Sequence, residues 1–311
     1  MAPRLNVCTS ILSRFTFPDV IDIVLASGYS GIELRVSDDY HKSFKQLENR
    51  GKFSKRQMEK VGLEIPILNT YIPINEEEKV DRLLNICQKS QIPKVRLVLP
   101  RSCQASVAKL AKTKEIIPSY DAKKTPDILI KSVQETLRIL ELKAYKAGVK
   151  ILLELHWGTV MSSFSSAYFL TQDLNPNCIG ITFDPANMIV EGKEDWEFGL
   201  QLISSHLDNV HVKNVRWQPT HQGWEWDWSP AIKGMVNWGE LIFLLSQNGY
   251  YGDYSIEDFL VPNDNKEQAI TYLKWLNAEF SELLDYFSVP EISKPQVLPS
   301  LMNSDLAPQL I

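Results

Sequence analysis

Four residues that can bind a metal ion or carry a proton follow one another at the ends of short apolar segments: Glu154, Asp184, His211 and Glu257. They lie 30, 27 and 46 positions apart, and the first two spacings match one strand-plus-helix unit. The third spacing is one such unit lengthened by the loop 215–235. A carboxylate within an apolar segment, such as Glu154 within 149–156, is costly to bury unless it is paired or bound to a metal. The pattern therefore indicates one shared site.

Each of the four residues also has a simpler interpretation. Glu154 could pair with an arginine, Asp184 could cap a helix that begins at Pro185, His211 could be an ordinary core histidine, and Glu257 could cap a turn. Their occurrence at equivalent ends of consecutive segments favours the common site. Two glutamates, one aspartate and one histidine form an oxygen-rich donor set, which suits a single divalent ion. Mn²⁺ is the best match, with Mg²⁺, Co²⁺ and Zn²⁺ as alternatives.

The segments that carry these residues belong to a regular alternation of eight short strands with helical stretches. The predicted strands are 5–9, 31–36, 63–70, 95–99, 149–156, 179–184, 209–213 and 253–257. This alternation is typical of an α/β fold, the (β/α)8 TIM barrel, and we expect a single barrel domain over residues 4–288. An open doubly wound sheet is the alternative, but it would usually carry a glycine-rich turn after its first strand. Residues 8–14 contain no glycine.

The composition narrows the class of protein. The 311 residues are 44% hydrophobic and 23% charged, with a net charge of -5 and no basic block, which argues against a nucleic-acid partner. The four cysteines are scattered, and no stretch is apolar enough for a membrane span, so a cytoplasmic protein is expected. The long connection 100–125 is expected to be a lid or a disordered segment. The proline-containing tail 289–311 is expected to be extended, either along the barrel or towards the partner subunit of a homo-oligomer.

Several short motifs resemble one known family. They are Gly31-Ile32-Glu33-Leu34, Leu153-Glu154-Leu155-His156, Phe183-Asp184-Pro185-Ala186-Asn187, Val210-His211-Val212-Lys213-Asn214 and the segment 249–257. Over residues 4–285 the chain resembles the xylose isomerase-like barrel superfamily, in particular its sugar-phosphate isomerase/epimerase group. The resemblance implies that the four residues named first ligate one divalent metal ion. Asn214 stands where the family usually has aspartate, and tryptophan-containing segments replace a glycine-rich one, so the substrate stays open.

The predicted site suits proton transfer on a keto sugar or sugar derivative. A metal ion that holds the carbonyl and a neighbouring hydroxyl acidifies the adjacent C–H and stabilises the resulting enediolate. Glu154 and Glu257, on opposite sides of the substrate, could then remove and return the proton. The resemblance implies the same double role for these glutamates. A metal-dependent isomerase or epimerase is therefore expected.

Further residues are candidates for contacts with the substrate. Strand alternation places His156 on the same face as Glu154, and Lys213 on the same face as His211. The candidate substrate-binding residues are His156, Lys213, Asn187 and Asn69. Glu33 and Arg96, inside the second and fourth strands, are expected to form an ion pair within the barrel.

Three other functions are alternatives to the isomerase. A lyase or dehydratase of a keto-inositol or related polyol would begin with the same proton abstraction. A DNA-repair endonuclease of this fold needs more than the five histidines present, including one at the position of Asn187. A sugar-binding protein without activity would not need paired carboxylates around a metal.

Five of the eight tryptophans lie in the loop 217–238, which could stack on sugars, pack over the barrel or form a subunit interface.

Overall fold

Eight parallel strands form a closed barrel. A computed structural model describes residues 3–37, 40–48, 58–102 and 125–287. The barrel strands are β1 (Arg4–Cys8), β2 (Gly31–Arg35), β3 (Glu64–Pro73), β4 (Lys94–Val98), β5 (Lys150–Glu154), β6 (Ile179–Phe183), β7 (Leu207–Val212) and β10 (Asp253–Ile256). A separate antiparallel hairpin consists of β8 (Asn214–Thr220) and β9 (Gly223–Ser229). Strand β1 pairs with both β2 and β10, which closes the barrel and confirms the predicted TIM-barrel fold. An open sheet would have left two strands with a free edge.

Helices connect most of the barrel strands. Within the described ranges they are α1 (Phe17–Ala26), α2 (Phe44–Glu48), α3 (Glu77–Ser90), α4 (Pro126–Ala147), α5 (Phe164–Thr171), α6 (Pro185–Glu191), α7 (Trp196–Ile203), α8 (Trp238–Gln247) and α9 (Lys266–Phe287). Local signals fix their ends. Thr16 accepts a hydrogen bond from Asp19 N at the start of α1, and Gly148 ends α4 in the left-handed conformation, which glycine adopts without steric cost. The short helix α6 is the one that the cap interpretation of Asp184 offered, whereas the sequence interpretation did not predict the β8–β9 hairpin.

The strands are buried on both faces, which explains why their sequences are nearly continuous apolar runs. Outward side chains pack under the helices, and inward ones fill the barrel. Pro66, which weakens a strand assignment, lies within β3 at a point where the pairing with β2 shifts by one residue. Such a shift tolerates a residue without a backbone N–H. The inward face near the carboxyl ends of the strands is charged and not apolar, and this is where the predicted site lies.

Some predictions concern residues beyond these elements. Most of the connection 100–125 and the whole tail 289–311 lie outside the described residues. Three cysteines, Cys8, Cys87 and Cys178, are free thiols, as the scattered pattern predicted. None of the helices in the described part of the chain has the length and apolar character that a membrane crossing requires.

Candidate metal centre

The four predicted metal-binding residues come together at the carboxyl ends of β5, β6, β7 and β10. Glu154, Asp184, His211 and Glu257 are all buried, and one possible ligand atom from each lies within 4.8 Å of the others. His211 Nδ1 is 3.1 Å from Glu154 Oε1, 3.2 Å from Glu257 Oε2 and 3.4 Å from Asp184 Oδ2. One imidazole nitrogen therefore faces three carboxylates. The convergence follows from the fold, because β5, β6, β7 and β10 are neighbours in the barrel.

Asp184 has two roles, one for each of its carboxylate oxygens. Oδ1 accepts a hydrogen bond of 2.9 Å from Asn187 N and so caps helix α6, which begins at Pro185. Oδ2 faces the cluster and lies 2.8 Å from Lys213 Nζ. The helix-cap interpretation and the cluster interpretation are therefore compatible. The cap also fixes the direction of the oxygen that faces the cluster.

The other imidazole nitrogen of His211 is held by Glu33. His211 Nε2 lies 3.0 Å from Glu33 Oε1, and Glu33 also accepts hydrogen bonds from Asn69 Nδ2 (2.6 Å) and Asn209 Nδ2 (3.0 Å). A carboxylate in this position fixes which nitrogen carries the proton and leaves Nδ1 directed at the cluster. Burial lowers the pKa of His211, but the negative charges of Glu33, Glu257 and Glu154 outweigh burial and raise it well above its usual value.

The predicted ion pair between Glu33 and Arg96 is wrong. Arg96 instead forms an ion pair with Glu154, and its Nη1 donates a hydrogen bond of 2.8 Å to Asn69 Oδ1. Asn69 thus lies between Arg96 and Glu33. Arg96 contacts the cluster through Glu154, and Glu33 contacts it through His211. Burial raises the pKa of Glu154, but Arg96 and then His211 outweigh it and hold that pKa well below the usual range.

Lys213 lies inside the cluster. Its Nζ is 2.8 Å from both Asp184 Oδ2 and Glu257 Oε2. Burial lowers the pKa of Lys213, but these carboxylates raise it well above its usual value. Conversely, Lys213 and His211 outweigh burial and lower the pKa of Glu257. On its other oxygen, Glu257 accepts a hydrogen bond of 3.2 Å from Ser10 Oγ.

The charges of the cluster fit a divalent cation. The carboxylates in mutual contact with His211 are Glu33, Glu154, Asp184 and Glu257, and the permanent cations beside them are Arg96 and Lys213. A histidine that ligates a metal is neutral, and with a neutral imidazole these groups carry two negative charges in excess, which a divalent ion would neutralise. Asp184 Oδ2 is also buried without accepting a hydrogen bond of good geometry. Buried carboxylates of this kind are stable when they are paired or bound to a metal.

The candidate substrate-binding residues lie against the same cluster. Asn187 Nδ2 donates to Glu154 Oε1 (3.1 Å) and to the carbonyl of Leu155 (3.2 Å). His156 is buried beside Glu154 and Trp157; its Nδ1 donates to the Trp157 carbonyl at 2.8 Å. Asn187, Lys213 and Asn69 therefore contact the charged groups themselves. Their contacts suit the positioning of carboxylates, while binding of substrate by these residues remains a prediction.

The tryptophan-rich loop forms the β8–β9 hairpin over the carboxyl ends of the barrel strands. Trp226 packs between Trp157 and Trp228, with ring centroids 6.1 and 5.0 Å apart, and Trp228 packs on Phe259 at 4.8 Å. Trp224, near the turn, is 70% exposed. The strict alternation of tryptophan with acidic residues over 224–228 is a strand signal that could have predicted this hairpin. Packing over the barrel is thus established for two of the tryptophans.

The fold and the cluster together describe one class of protein. It is a parallel barrel that buries carboxylates and an imidazole at the carboxyl ends of its strands. The chain belongs to the xylose isomerase-like TIM barrel family, whose model matches residues 21–279. This confirms the resemblance found in the sequence motifs. No sequence among the curated proteins matches the chain.

Several solved structures share this fold. The IolI protein with a bound zinc atom superposes with a TM-score of 0.67 at 16% identity, covering 91% of this chain and 99% of that one. The 3-keto-D-glucoside 4-epimerase YcjR from E. coli superposes with a TM-score of 0.63 at 18% identity, covering 89% and 99%. The probable 3-DHS dehydratase AsbF from Bacillus anthracis superposes with a TM-score of 0.62 at 18% identity, covering 88% and 98%. At these identities the likeness establishes a common fold.

Proposed function

We propose that the protein is a divalent-metal-dependent isomerase or epimerase of a keto sugar or sugar derivative. The observation that carries the proposal is the buried cluster of Glu154, Asp184, His211 and Glu257, with an imidazole nitrogen facing three carboxylates. Membership of the xylose isomerase-like family and the likeness to an epimerase support a reaction on a sugar. The proposed metal ligands are the four residues of the cluster.

The two glutamates are the proposed proton carriers. When bound, the metal ion polarises the carbonyl of the substrate and acidifies the neighbouring C–H. Glu154 and Glu257 each lie close to His211 Nδ1, at 3.1 and 3.2 Å, and come from different strands, so we propose that a substrate bound at the cluster contacts both carboxylates. One carboxylate accepts the proton from carbon, and the other returns a proton to the opposite face in epimerisation or to the neighbouring carbon in isomerisation.

The residues around the two glutamates support different tasks for them. Arg96 pairs with Glu154 and has no proton to give at ordinary pH, so it serves to hold this carboxylate in place. Lys213 contacts Glu257 at 2.8 Å, and its ammonium can stabilise negative charge that develops on a substrate oxygen. We propose that His156 and Asn187, together with Asn69, complete the polar surroundings of the substrate.

We propose Mn²⁺ as the ion, because the donor set is mainly carboxylate oxygen. Metal analysis of the purified protein and of its Glu154→Gln variant tests the centre. Bound divalent ion in the wild type, with less in the variant, is the expected result. Zn²⁺ is included in the analysis, since the IolI structure holds zinc. A wild-type protein that binds neither Mn²⁺, Mg²⁺, Co²⁺ nor Zn²⁺ would rule out the proposal.

The reaction is tested by exchange of solvent deuterium into a panel of ketoses and their derivatives. We expect metal-dependent incorporation at the carbon next to the carbonyl, and its loss in Glu154→Gln and Glu257→Gln. Incorporation without a metal ion, or in both variants at the wild-type rate, would contradict the assignment of the two carboxylates.

A lyase is the second candidate, supported by the likeness to the probable 3-DHS dehydratase AsbF. A dehydratase would remove the same proton and then expel a hydroxyl group from the next carbon. Product analysis separates the two reactions, because the isomerase conserves the mass of its substrate and the dehydratase releases water. A cytoplasmic location and a homo-oligomeric state remain predictions; sedimentation of the purified protein tests the second.

A further inference from the structure

Arg35 is a buried cation without a carboxylate partner among the described residues. It is the last residue of β2 and only 7% exposed. Within the described part of the chain its side chain makes one hydrogen bond, from Nη1 to the neutral Asn69 Oδ1 at 3.4 Å, and its buried Nε has no hydrogen-bond partner there. A buried arginine is normally paired, because an uncompensated charge is costly to remove from water. The residue therefore has an unused capacity to bind an anion.

The position of Arg35 on β2 places it close to the candidate site. Glu33, two residues earlier on β2, points inward and contacts His211. Because side chains alternate along a strand, Arg35 lies on the same inward face, one layer nearer the carboxyl end. Its pairing partner in β3 is Asn69, whose side chain contacts Glu33 at 2.6 Å. Arg35 is thus separated from the proposed metal ligands by only two side chains.

The guanidinium of Arg35 is stacked and lines a cavity. Its Cζ lies 3.5 Å from the ring centroid of Tyr71 and 5.1 Å from that of Tyr40. Stacking of this kind uses the face of the guanidinium and leaves the N–H groups at its edge available for a planar or tetrahedral anion. The cavity has a volume of about 300 Å³ and also includes Ser37, Lys79 and Arg82 in its lining.

The other two cations of the cavity already have partners. Arg82 donates to both carboxylate oxygens of Glu48, at 2.9 and 3.0 Å, and Lys79 pairs with Glu76. Only Arg35 combines burial, a place in the cavity wall and the lack of a carboxylate among the described residues. This charge pattern suits a ligand with one anionic group.

We infer that the substrate of the proposed isomerase carries one anionic group, a carboxylate or a phosphate, which Arg35 binds in this cavity while the carbonyl end reaches the metal centre. The inference rests on the proposed function for the identity of the site, but anion binding by Arg35 is measurable without turnover. It restricts the substrate class to keto sugar acids or keto sugar phosphates and makes neutral ketoses poor substrates.

Binding of inorganic phosphate and of acetate, followed by tryptophan fluorescence and calorimetry, tests the anion site directly. We expect the wild type to bind at least one of these probes and Arg35→Met to bind it roughly tenfold to a hundredfold more weakly, as for the loss of charge-assisted hydrogen bonds. Arg35→Lys keeps the charge without the planar fork and should retain part of the affinity. The matched control is Arg82→Met, which removes a stacked cation from the same cavity whose charge Glu48 already balances.

Deuterium exchange with three ligands of equal chain length then separates the two possible anions: a neutral ketose, its terminal phosphate and the ketose with a terminal carboxylate. One of the two anionic ligands should show the highest kcat/KM, and Arg35→Met should raise KM for that ligand alone. Equal use of all three by the wild type overturns the inference, whether or not the Arg35 variants fold. So does loss of phosphate or acetate binding in Arg82→Met equal to that in Arg35→Met.

The outcomes for the two proposals differ. Exchange of deuterium into the neutral ketose, without any preference for the anionic ligands, contradicts the inference about Arg35 and leaves the isomerase proposal intact. Binding of phosphate or acetate that depends on Arg35, without exchange into any of the three ligands, supports the anion site and contradicts the isomerase proposal.

Discussion

Replacing Glu33 by glutamine tests whether the carboxylate behind His211 sets the metal affinity. Glu33 is fully buried and accepts hydrogen bonds from His211 Nε2, Asn69 Nδ2 and Asn209 Nδ2. Glutamine has the same shape but only one acceptor oxygen. In either orientation its amide nitrogen faces at least one of these donors, and the negative charge is lost. The imidazole is then held less firmly with Nδ1 directed at the carboxylates.

The size of the effect follows from these contacts. A hydrogen bond to a charged group contributes about 1.5–3 kcal/mol. Loss of the outer partner of a ligating histidine lowers metal affinity by roughly tenfold to a hundredfold, which corresponds to about 1.4–2.7 kcal/mol. Since the two ranges coincide, we expect Glu33→Gln to bind Mn²⁺ about thirtyfold more weakly than the wild type.

The measurement is a competition titration of Mn²⁺ against a chelating dye at constant pH. Asp253→Asn is the control, because Asp253 is also a buried barrel carboxylate but lies at the opposite end of β10, where it pairs with Arg4 and Lys94. Its variant should keep the wild-type metal affinity. Wild-type affinity in Glu33→Gln, or an equal loss in both variants, would refute the reasoning.

Three further predictions concern stability and activity. Glu154→Gln leaves Arg96 buried without its carboxylate, so we expect unfolding to become easier by about 3–5 kcal/mol and isotope exchange to fall at least about a hundredfold. Burial raises the pKa of Asp253, but the adjacent lysine and arginine outweigh it and lower that pKa below 3.8. Its ion pairs therefore stabilise the fold above pH 3.8, and this stabilisation is lost as the pH falls further, so Asp253→Asn should show a weaker acid dependence of stability than the wild type. Gly199→Ala would place a methyl group 1.9 Å from Phe164 Cδ2 and should destabilise the protein by about 1–3 kcal/mol.

Urea unfolding measures all three changes in stability. An unchanged unfolding midpoint in Gly199→Ala would mean that the Phe164 ring can move, although it packs on Phe183 and Trp196 at 5.2 and 6.0 Å. An identical acid dependence in the wild type and Asp253→Asn would exclude this carboxylate as a source of acid lability. Normal exchange in Glu154→Gln would remove this residue from the proposed chemistry.

The members of the candidate cluster were predictable because their signal is local. Each of Glu154, Asp184 and Glu257 directly precedes a loop or a helix start at the end of an apolar strand, and His211 lies within one. Once eight strands alternate with helices, the closed barrel follows from known folds, and it places such strand ends side by side. A loop interpretation of this segment does not predict the hairpin β8–β9, although the alternation of tryptophan with acidic residues over 224–228 is a strand signal.

The sequence by itself determined the barrel, the family and the four residues that meet at its carboxyl end, since strand periodicity and residue type are properties of short segments. Only the tertiary structure decided which charges face each other inside the barrel. Glu33 contacts His211 across 178 positions of the chain, Arg96 pairs with Glu154 and not with Glu33, and Arg35 has the neutral Asn69 as its hydrogen-bond partner among the described residues. Two inward side chains can pair only if they lie at the same level along the barrel axis. The register between strands sets that level, and the sequence of a single strand does not determine its register with the next.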